Sequence, residues 1–289
     1  MANKETIVVT GASGQLGRLV LKELVARAPQ ARIVGVLRNP AKAQDLAALG
    51  VELRAGDYED PASLSAAFAG ADKVLLISSN ELGKRTPQHL NVIAAAKAAG
   101  VKLLAYTSVL HADDSALNLA GEHRETEAAL RASGLPFVLL RNGWYTENYT
   151  AGAKAAVDHG AVLGSAGQGK IASAARADYA AAAAAVLTST EDQAGKVYEL
   201  AGDTAYTLAD YAAELARQSG RPVVYKDLPE TDYRGILESV GLPAGLAALL
   251  AESDVKASKG ALFGDGATLH RLIGRPTTPL AASVAAALA

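Results

Sequence analysis

The sequence predicts an α/β fold in which helices cover both faces of a doubly wound parallel sheet, with a smaller, partly helical C-terminal substrate domain. The first half alternates short aliphatic runs with stretches of helical periodicity. Strict alternation is typical of βαβ units, whose strands are apolar because both faces of the sheet are covered. A glycine-rich turn follows the first run. We place the first domain at residues 1–145 and the second at 146–289, with about 171–206 returning to the first.

Each predicted strand is an apolar run separated from the next by a candidate helix. The six runs are TIVVT, RIVGVL, VELRA, KVLLI, KLLAYTS and PFVLL. Gly100 and Gly134 end two of the helices, because glycine accepts the left-handed conformation that closes a helix. Alanine, the strongest helix former, dominates the helices. After Tyr145 the alternation weakens, although KVYEL and PVVYK still indicate strands and residues 160–169 are rich in glycine.

Composition argues against several kinds of function. The chain has 289 residues with a formal net charge of -2, so we expect no nucleic-acid partner. It has no cysteine, and its five histidines are scattered, which makes a metal site improbable. No apolar stretch has the length of a signal-peptide core or a membrane span. We therefore expect a cytoplasmic protein without a membrane partner.

The glycine-rich turn lies between the first predicted strand and the first predicted helix. Residues 6–18 read TIVVTGASGQLGR. In dinucleotide-binding domains such glycines allow a tight turn and a close approach to the pyrophosphate, and the N–H groups of the helix start bind the phosphates. The alternative is a tight turn without a ligand, but the strand-turn-helix context favours the dinucleotide. The predicted contacts are Gly11, Ala12, Ser13, Gly14, Gln15, Leu16 and Gly17.

Arg38 ends the second predicted strand, about twenty residues after the glycines. At this place in a Rossmann unit a carboxylate binds the ribose 2′-hydroxyl of NAD, whereas an arginine accommodates the 2′-phosphate of NADP. No carboxylate occurs from residue 35 to 44, and a guanidinium forms forked, charge-assisted hydrogen bonds with phosphate. We therefore predict NADPH as the cofactor, against the alternative that Arg38 merely caps a surface strand.

Several long stretches carry a resemblance that runs from end to end of the chain: LRNPAK, LLISS, PQHLNVIAAAKAAGV, YTSVLHAD, LLRNGWYTENY, GKIASAARADYAAA and VYELAGD. They resemble the NmrA-like group of atypical short-chain dehydrogenases/reductases, and within it the bacterial type 2 NAD(P)H quinone oxidoreductases. The resemblance implies a quinone as substrate. It also implies further cofactor contacts, namely Asp57, Ser78, Ser79, Asn80, Asn142, Gly143, Trp144, Tyr145, Thr146 and Glu147.

The tyrosine-lysine pair that most short-chain dehydrogenases use is missing, because none of the ten tyrosines has a lysine four residues later. Ser108 fits the position of the usual serine. The next predicted helix reads GEHRETE and places His123 and Glu127 one turn apart. That pair is either an oriented general acid or a surface helix pair, and we slightly favour the surface pair. His123 nevertheless stays a catalytic candidate.

A quinone needs less proton assistance than a ketone does, because its reduction gives an aromatic hydroquinone whose oxygens are far less basic than an alkoxide. Proximity of the reacting atoms can then supply most of the rate. In RNGWYTENY, residues 141–149, Trp144 and Tyr145 can stack on a planar ring, while Asn142 and Thr146 can bind its oxygens or the carboxamide of the nicotinamide. We predict Tyr145 as the second catalytic residue; the alternative is a packed loop-to-helix junction.

The predicted function is NADPH-dependent reduction of quinones by direct hydride transfer at the carboxyl edge of the sheet. The main alternative is a non-catalytic NADP(H)-sensing regulator of the NmrA type, which would also lack the tyrosine-lysine pair. A sugar-nucleotide epimerase would normally need the missing tyrosine. The sequence does not name the quinone, and it leaves a flavin and a homo-oligomer open.

Overall fold

The computed structural model describes residues 4–289. Its strands are β1 (Thr6–Val9), β2 (Arg32–Leu37), β3 (Glu52–Ala55), β4 (Lys73–Leu76), β5 (Leu103–Val109), β6 (Phe137–Asn142), β7 (Ala161–Gly164), β8 (Val197–Leu200) and β9 (Val224–Asp227). Its α-helices are α1 (Gln15–Arg27), α2 (Gln44–Ala47), α3 (Pro61–Ala67), α4 (Arg85–Ala98), α5 (Ala120–Ser133), α6 (Glu147–Thr150), α7 (Ala153–His159), α8 (Arg176–Leu187), α9 (Leu208–Ser219), α10 (Glu230–Ser239), α11 (Ala244–Ala257), α12 (Ala267–Ile273) and α13 (Leu280–Leu288). A 3₁₀ helix spans Pro40–Ala43.

The larger of two sheets has the strand order β3-β2-β1-β4-β5-β6-β8, and β7 pairs with β9 in the smaller one. The registers from β3 to β6 are parallel. The amides of Leu139 and Gly143 donate to the carbonyls of Lys196 and Leu200, so β8 runs in the same direction. The order reverses between β1 and β4, and ligands bind at the carboxyl ends of the strands at such a reversal. The predicted doubly wound fold is confirmed.

The predicted strands agree with the observed ones. All six apolar runs form strands, and KVYEL and PVVYK contribute β8 and β9. The sequence did not predict β7, which lies inside the glycine-rich segment. Its four residues pair with β9, about 60 positions further along the chain, so no local pattern marks it.

Helices cover the large sheet on both faces, as the apolar strands require. On one face Val36 of β2 and Val74 of β4 share a core with Leu64 of α3, Val92 of α4 and Leu130 of α5. On the other face α1 packs along α8, whose alanines from 180 to 184 are buried. The alanine run therefore serves packing.

The described chain divides into two compact units. The first contains residues 4–112, 122–142 and 176–198, and the second contains 113–121, 143–175 and 199–289. The second unit holds the small β7-β9 sheet and most of the later helices. None of the helices within residues 4–289 combines the length and apolarity that crossing a membrane requires.

Candidate cofactor site and catalytic residues

The glycine turn joins β1 to α1 at the reversal of the sheet. Gly11 has a φ of 59°, a left-handed conformation that glycine adopts without strain. The amide of Gly14 donates to the carbonyl of Gly11 at 3.0 Å. A Cβ on Gly17 would lie 2.4 Å from that same carbonyl oxygen, so the first turn of α1 can approach the loop only without a side chain there. The turn is therefore built from glycines for geometric reasons.

The start of α1 suits an anionic group. Its N-cap is Gly14, which offers no side chain to the first amides, and its first turn contains no acidic residue. Ser13, Gly14 and Gln15 are exposed, whereas Ala12 and Leu16 are buried and anchor the turn. A helix start with solvent-accessible amides and no carboxylate favours a phosphate. The predicted pyrophosphate contacts thus lie where the fold can use them, and the turn fits the cofactor.

Thr10 and Tyr58 connect three strand ends beneath this turn. The hydroxyl of Thr10 donates to the carbonyl of Leu75 at 3.0 Å and accepts from the amide of Ile77 at 3.1 Å. The Tyr58 hydroxyl lies 2.5 Å from that of Thr10 and donates to the carbonyl of Ile77 at 2.7 Å. Burial raises the pKa of Tyr58, so its hydroxyl stays protonated. These bonds fix the carboxyl ends of β1 and β4 relative to each other.

The loop after β4 is held by buried side chains of α4. The amide of Ser79 donates to Nε2 of His89 at 2.9 Å, and Nε of Arg85 donates to the carbonyl of Ser79 at 2.8 Å. Burial lowers the pKa of His89 to about 3, so the imidazole is neutral and can accept at Nε2. The amide of Ser78 donates to the Thr107 hydroxyl at 2.8 Å. Ser78 and Ser79 therefore have a fixed backbone, while Asn80 is exposed.

Arg38 leaves the carboxyl end of β2 with 75% of its side chain exposed. Its Nη1 lies 3.9 Å from Oε1 of Glu81, in the loop after β4. The adjacent Asn39 caps the 3₁₀ helix by accepting from the amide of Ala41. Because β2 and β4 are both parallel strands of one sheet, the fold brings this carboxylate to the arginine from a distant part of the sequence.

Asp57 follows β3 and stabilises its own turn. Its amide donates to the hydroxyl of Ser63 at 3.0 Å, and its Oδ1 accepts from the amide of Glu59 at 3.0 Å. The residue is partly exposed at the same edge of the sheet as Arg38 and the glycine turn. Contact of Asp57 with an adenine stays a prediction.

His123 and Glu127 are both buried, so the interpretation as a surface pair is wrong. Nδ1 of His123 lies 2.7 Å from the hydroxyl of Tyr106, in β5. Glu127 instead accepts from the Ser108 hydroxyl at 2.6 Å and from Nε and Nη2 of Arg141 at 2.9 and 2.7 Å. The two side chains are buried because their side of α5 faces β5 and β6.

Electrostatics separates the two residues further. Burial, with Arg85 and His89 nearby, lowers the pKa of His123 well below its usual value, so the ring is neutral. Burial tends to raise the pKa of Glu127, but the hydrogen bonds from Arg141 and Ser108 outweigh it and lower the pKa. Ser108, which fits the position of a catalytic serine, thus donates its hydroxyl hydrogen bond to the buried carboxylate of Glu127.

The RNGWYTENY segment crosses from the first unit into the second. Asn142 ends β6 and is buried, and its carbonyl accepts from the amide of Leu110. In the second unit Tyr145 pairs with Ala174 in an isolated β-bridge, and the Thr146 hydroxyl lies 2.8 Å from that of Ser173.

Exposure differs along the same segment. Trp144 and Thr146 are buried, whereas Gly143, Tyr145 and Glu147 are partly exposed. Tyr145 can therefore meet a ligand from a backbone that is fixed. A direct role of any residue in this segment stays a prediction.

Four residues of this site were not found from the sequence: Tyr58, Glu81, Arg85 and His89. Tyr58 and Glu81 meet partners that are distant in sequence, Thr10 and Arg38, whereas Arg85 and His89 bind the backbone of the nearby Ser79. Tyrosine, glutamate, arginine and histidine at those positions form no local motif. The signal for Tyr58 was its place next to Asp57. For Arg85 and His89 it was their spacing of four on one helical face, directly after the β4 loop.

Comparison with known proteins gives a consistent result. A family model described as NAD(P)H-binding matches residues 11–190. Quinone oxidoreductase 2 of Escherichia coli (strain K12) is 60% identical over 278 residues, which are 96% of this chain and 97% of that protein. The crystal structure of the NADPH-dependent quinone oxidoreductase QOR2 from E. coli complexed with NADPH has a TM-score of 0.94 and 59% identity, and covers 98% of this chain and 100% of that one.

A second solved structure agrees in fold and cofactor. Citrobacter sp. triphenylmethane reductase complexed with NADP(H) has a TM-score of 0.93 and 38% identity, covering 97% of this chain and 99% of that one. The resemblance to type 2 quinone oxidoreductases is thereby confirmed. Because the family model matches more than half of the chain and spans the glycine turn, Arg38 and β2 to β6, the chain belongs to the NAD(P)H-binding family.

Proposed function

We propose that this protein reduces quinones with NADPH as the hydride donor. The observation that carries the proposal is the 60% identity to E. coli quinone oxidoreductase 2 over nearly the whole length of both chains. The structure supports it independently, since a glycine turn, a helix start without carboxylates and an exposed arginine lie at one edge of one sheet. These features suit a dinucleotide with a 2′-phosphate.

The residues around the turn would hold the cofactor in a defined order. The turn residues Gly11, Ala12, Ser13, Gly14, Gln15, Leu16 and Gly17 would surround the pyrophosphate, and Arg38 would bind the 2′-phosphate. The amides of Ala12 and Gly14 already donate to the carbonyls of Val36 and Gly11, so the amides at the start of α1 would bind the phosphates. Asp57 would lie near the adenine, and Ser78, Ser79 and Asn80 near the nicotinamide side. Asn142, Gly143, Trp144, Tyr145, Thr146 and Glu147 complete the proposed contacts.

NADPH, when bound, supplies a hydride. The chain's own residues then have to orient the acceptor and provide one proton to a weakly basic oxygen. Tyr145 is the proposed donor because it is partly exposed and its backbone is held by the bridge to Ala174. His123 is neutral and bound to Tyr106, which suits a structural role better than a donor role.

A non-catalytic sensor of NADP(H) is the second candidate, since it would share the glycine turn and lack the tyrosine-lysine pair. The identity to a quinone oxidoreductase over almost the whole chain favours the enzyme. A cytoplasmic location and assembly into a homo-oligomer are further proposals, which cell fractionation and light scattering would test.

The first experiment follows the loss of NADPH absorbance after adding a benzoquinone or a naphthoquinone to the protein. We expect a saturable loss that requires both protein and quinone. A triphenylmethane dye is a useful third acceptor, because a 38% identical relative is named as a reductase of such dyes. Tight NADPH binding without turnover of any acceptor would reject the enzyme and favour the sensor.

A further inference from the structure

We propose that Glu81 limits the preference for NADPH over NADH by competing with the 2′-phosphate for Arg38. The proposal rests on the proposed role of Arg38 and deepens it, because it names a residue that acts through the arginine. Oε1 of Glu81 lies 3.9 Å from Nη1 of Arg38. In an NADP site, the carboxylate and a 2′-phosphate would be alternative partners for the same guanidinium.

The position of Glu81 is set by the buried part of its loop. The amide of Glu81 donates to the hydroxyl of Ser79 at 3.1 Å, and both backbone groups of Ser79 are bound by His89 and Arg85. The carboxylate therefore extends from a fixed backbone toward the carboxyl end of β2. No comparable carboxylate comes from the sequence around Arg38 itself, where residues 35–44 contain none.

A second cation shares the same carboxylate. Nζ of Lys84 lies 3.6 Å from Oε2 of Glu81 and 3.1 Å from Oε1 of Glu59. The hydrogen bond from Lys84 lowers the pKa of Glu59, and the charge of Arg38 lowers it by a smaller amount. Two cations and two carboxylates thus form a neutral cluster: Arg38, Lys84, Glu59 and Glu81.

The charge balance of this cluster predicts the direction of each effect. A 2′-phosphate with nearly two negative charges can bind Arg38 only to the extent that the arginine separates from Glu81. Lys84 draws Glu81 the other way and so frees the arginine. Loss of Glu81 should strengthen NADPH binding, loss of Lys84 should weaken it, and NADH, which lacks the phosphate, should respond little to either.

The test measures dissociation constants of NADPH and NADH by titration calorimetry for the full-length protein and its variants. For Glu81→Gln we expect the ratio of the NADH to the NADPH constant to rise about two- to fivefold at low salt, the range for an exposed ion pair. For Lys84→Met the ratio should fall. Both changes should shrink as salt is raised, because salt screens exposed charges.

Glu23→Gln is the matched control. Glu23 pairs with Arg27 at the far end of α1, and its side chain is 40% exposed, as is that of Glu81. The substitution removes the same charge, so an equal rise in the ratio would overturn the proposal in favour of a general charge effect. Circular dichroism of each variant would verify that these surface changes leave the fold intact.

Arg38→Ala separates this inference from the proposed NADPH site. If the arginine variant loses the preference for NADPH and Glu81→Gln then has no effect in that background, Glu81 acts through Arg38 as proposed. If Glu81→Gln raises the ratio equally with and without Arg38, the proposed competition for Arg38 is wrong. Glu81 would then repel the 2′-phosphate directly. If Arg38→Ala alone leaves the ratio unchanged, the proposed binding of the 2′-phosphate by Arg38 is itself wrong.

Discussion

At the residue scale, His123 and Glu127 illustrate that a side chain's partners decide its chemistry. The two lie one turn apart on α5, yet one binds Tyr106 and the other accepts from Ser108 and Arg141. A buried carboxylate with two forked hydrogen bonds from an arginine is costly to separate from it, because either partner alone would be an uncompensated buried charge. Glu127 thus joins α5 to β5 and β6 and is unavailable as a base.

Two substitutions distinguish a proton donor from a scaffold. His123→Ala should lower the free energy of unfolding by about 2–4 kcal/mol, as removal of a buried ring does, and leave kcat close to that of the natural protein. Tyr145→Phe should leave stability nearly unchanged and lower kcat with quinones by about tenfold, less than strong general-acid catalysis supplies. Thermal unfolding and steady-state kinetics measure both quantities.

The pH dependence of activity provides the result that would contradict this assignment of His123 and Tyr145. Since the pKa of His123 lies well below its usual value, the ring does not titrate near neutral pH in the folded protein. The activity of the natural protein should therefore show no step near pH 6.5 that His123→Ala removes. Such a step, together with a large loss of kcat in His123→Ala, would restore the histidine as the donor.

The site could be predicted from the sequence where a motif is local, and not where partners come together through the fold. The roles of the glycine turn and of Arg38 can be predicted from the residues next to them in the sequence. The role of Glu81 cannot, because Glu81 meets Arg38 only through the parallel sheet, in which β2 and β4 lie on either side of β1. Helical spacing also placed His123 and Glu127 on one face without showing that this face is buried.

At the element scale, the junction of β1 with α1 depends on missing side chains. A Cβ on Gly17 would meet the carbonyl oxygen of Gly11 at 2.4 Å and the Cα of Ala12 at 3.0 Å. Both are backbone atoms, so the loop or the helix must move to admit a methyl group. The same turn aims the amides that are proposed to bind the pyrophosphate.

Gly17→Ala should therefore destabilise the protein by about 1–3 kcal/mol, the usual cost of overpacking, although alanine is the better helix former. NADPH affinity should fall by about tenfold or more, because the displaced turn no longer aligns its amides. Gly235→Ala in α10 is the control: apart from the helix's own backbone, no atom of the described residues lies within 4 Å of its added Cβ, so stability should rise by about 1 kcal/mol. Unchanged NADPH affinity in Gly17→Ala would contradict the assigned turn.

Elements were predictable where the hydrophobic pattern is local and repeated. The six apolar runs of the first half all form strands because a sheet covered on both faces needs continuous apolar residues. β7 has only Ala161–Gly164 and owes its extended form to β9. A strand that depends on a distant partner leaves little trace in its own sequence.

At the scale of the whole molecule, the chain returns to each unit more than once, and the second unit is closed by contacts between distant segments. Asp254 of α11 is an example, since its side chain is buried and accepts from the Tyr149 hydroxyl at 3.1 Å and from the amide of Ser165 at 3.0 Å. Tyr149 in turn accepts at its carbonyl from the hydroxyl of Tyr211. This one carboxylate links α6, the end of β7 and α11.

The ionisation of Asp254 makes the stability of this unit depend on pH. Burial raises its pKa to about 6; the bonds from Ser165 and Tyr149 lower it in part, and Asp227 raises it. The folded chain therefore holds this proton more tightly than the unfolded chain, whose aspartate has a pKa of about 3.9. The resulting stabilisation is fully present below the unfolded pKa and is lost as pH rises through about 6.

Between about pH 7.5 and pH 5, the free energy of unfolding should therefore gain roughly 1 kcal/mol from Asp254, a gain that Asp254→Asn lacks. The measurement is urea unfolding followed by the emission of Trp144, the only tryptophan, which lies in the second unit. Asp210→Asn is the control, because the capping box of α9 lowers the pKa of Asp210 and its contribution is lost only in stronger acid. The free energy of unfolding of the natural protein, relative to that of Asp254→Asn, should rise by this amount as pH falls through this window, while the difference for Asp210→Asn stays constant. A constant difference for Asp254→Asn would show that this carboxyl does not take up its proton near pH 6.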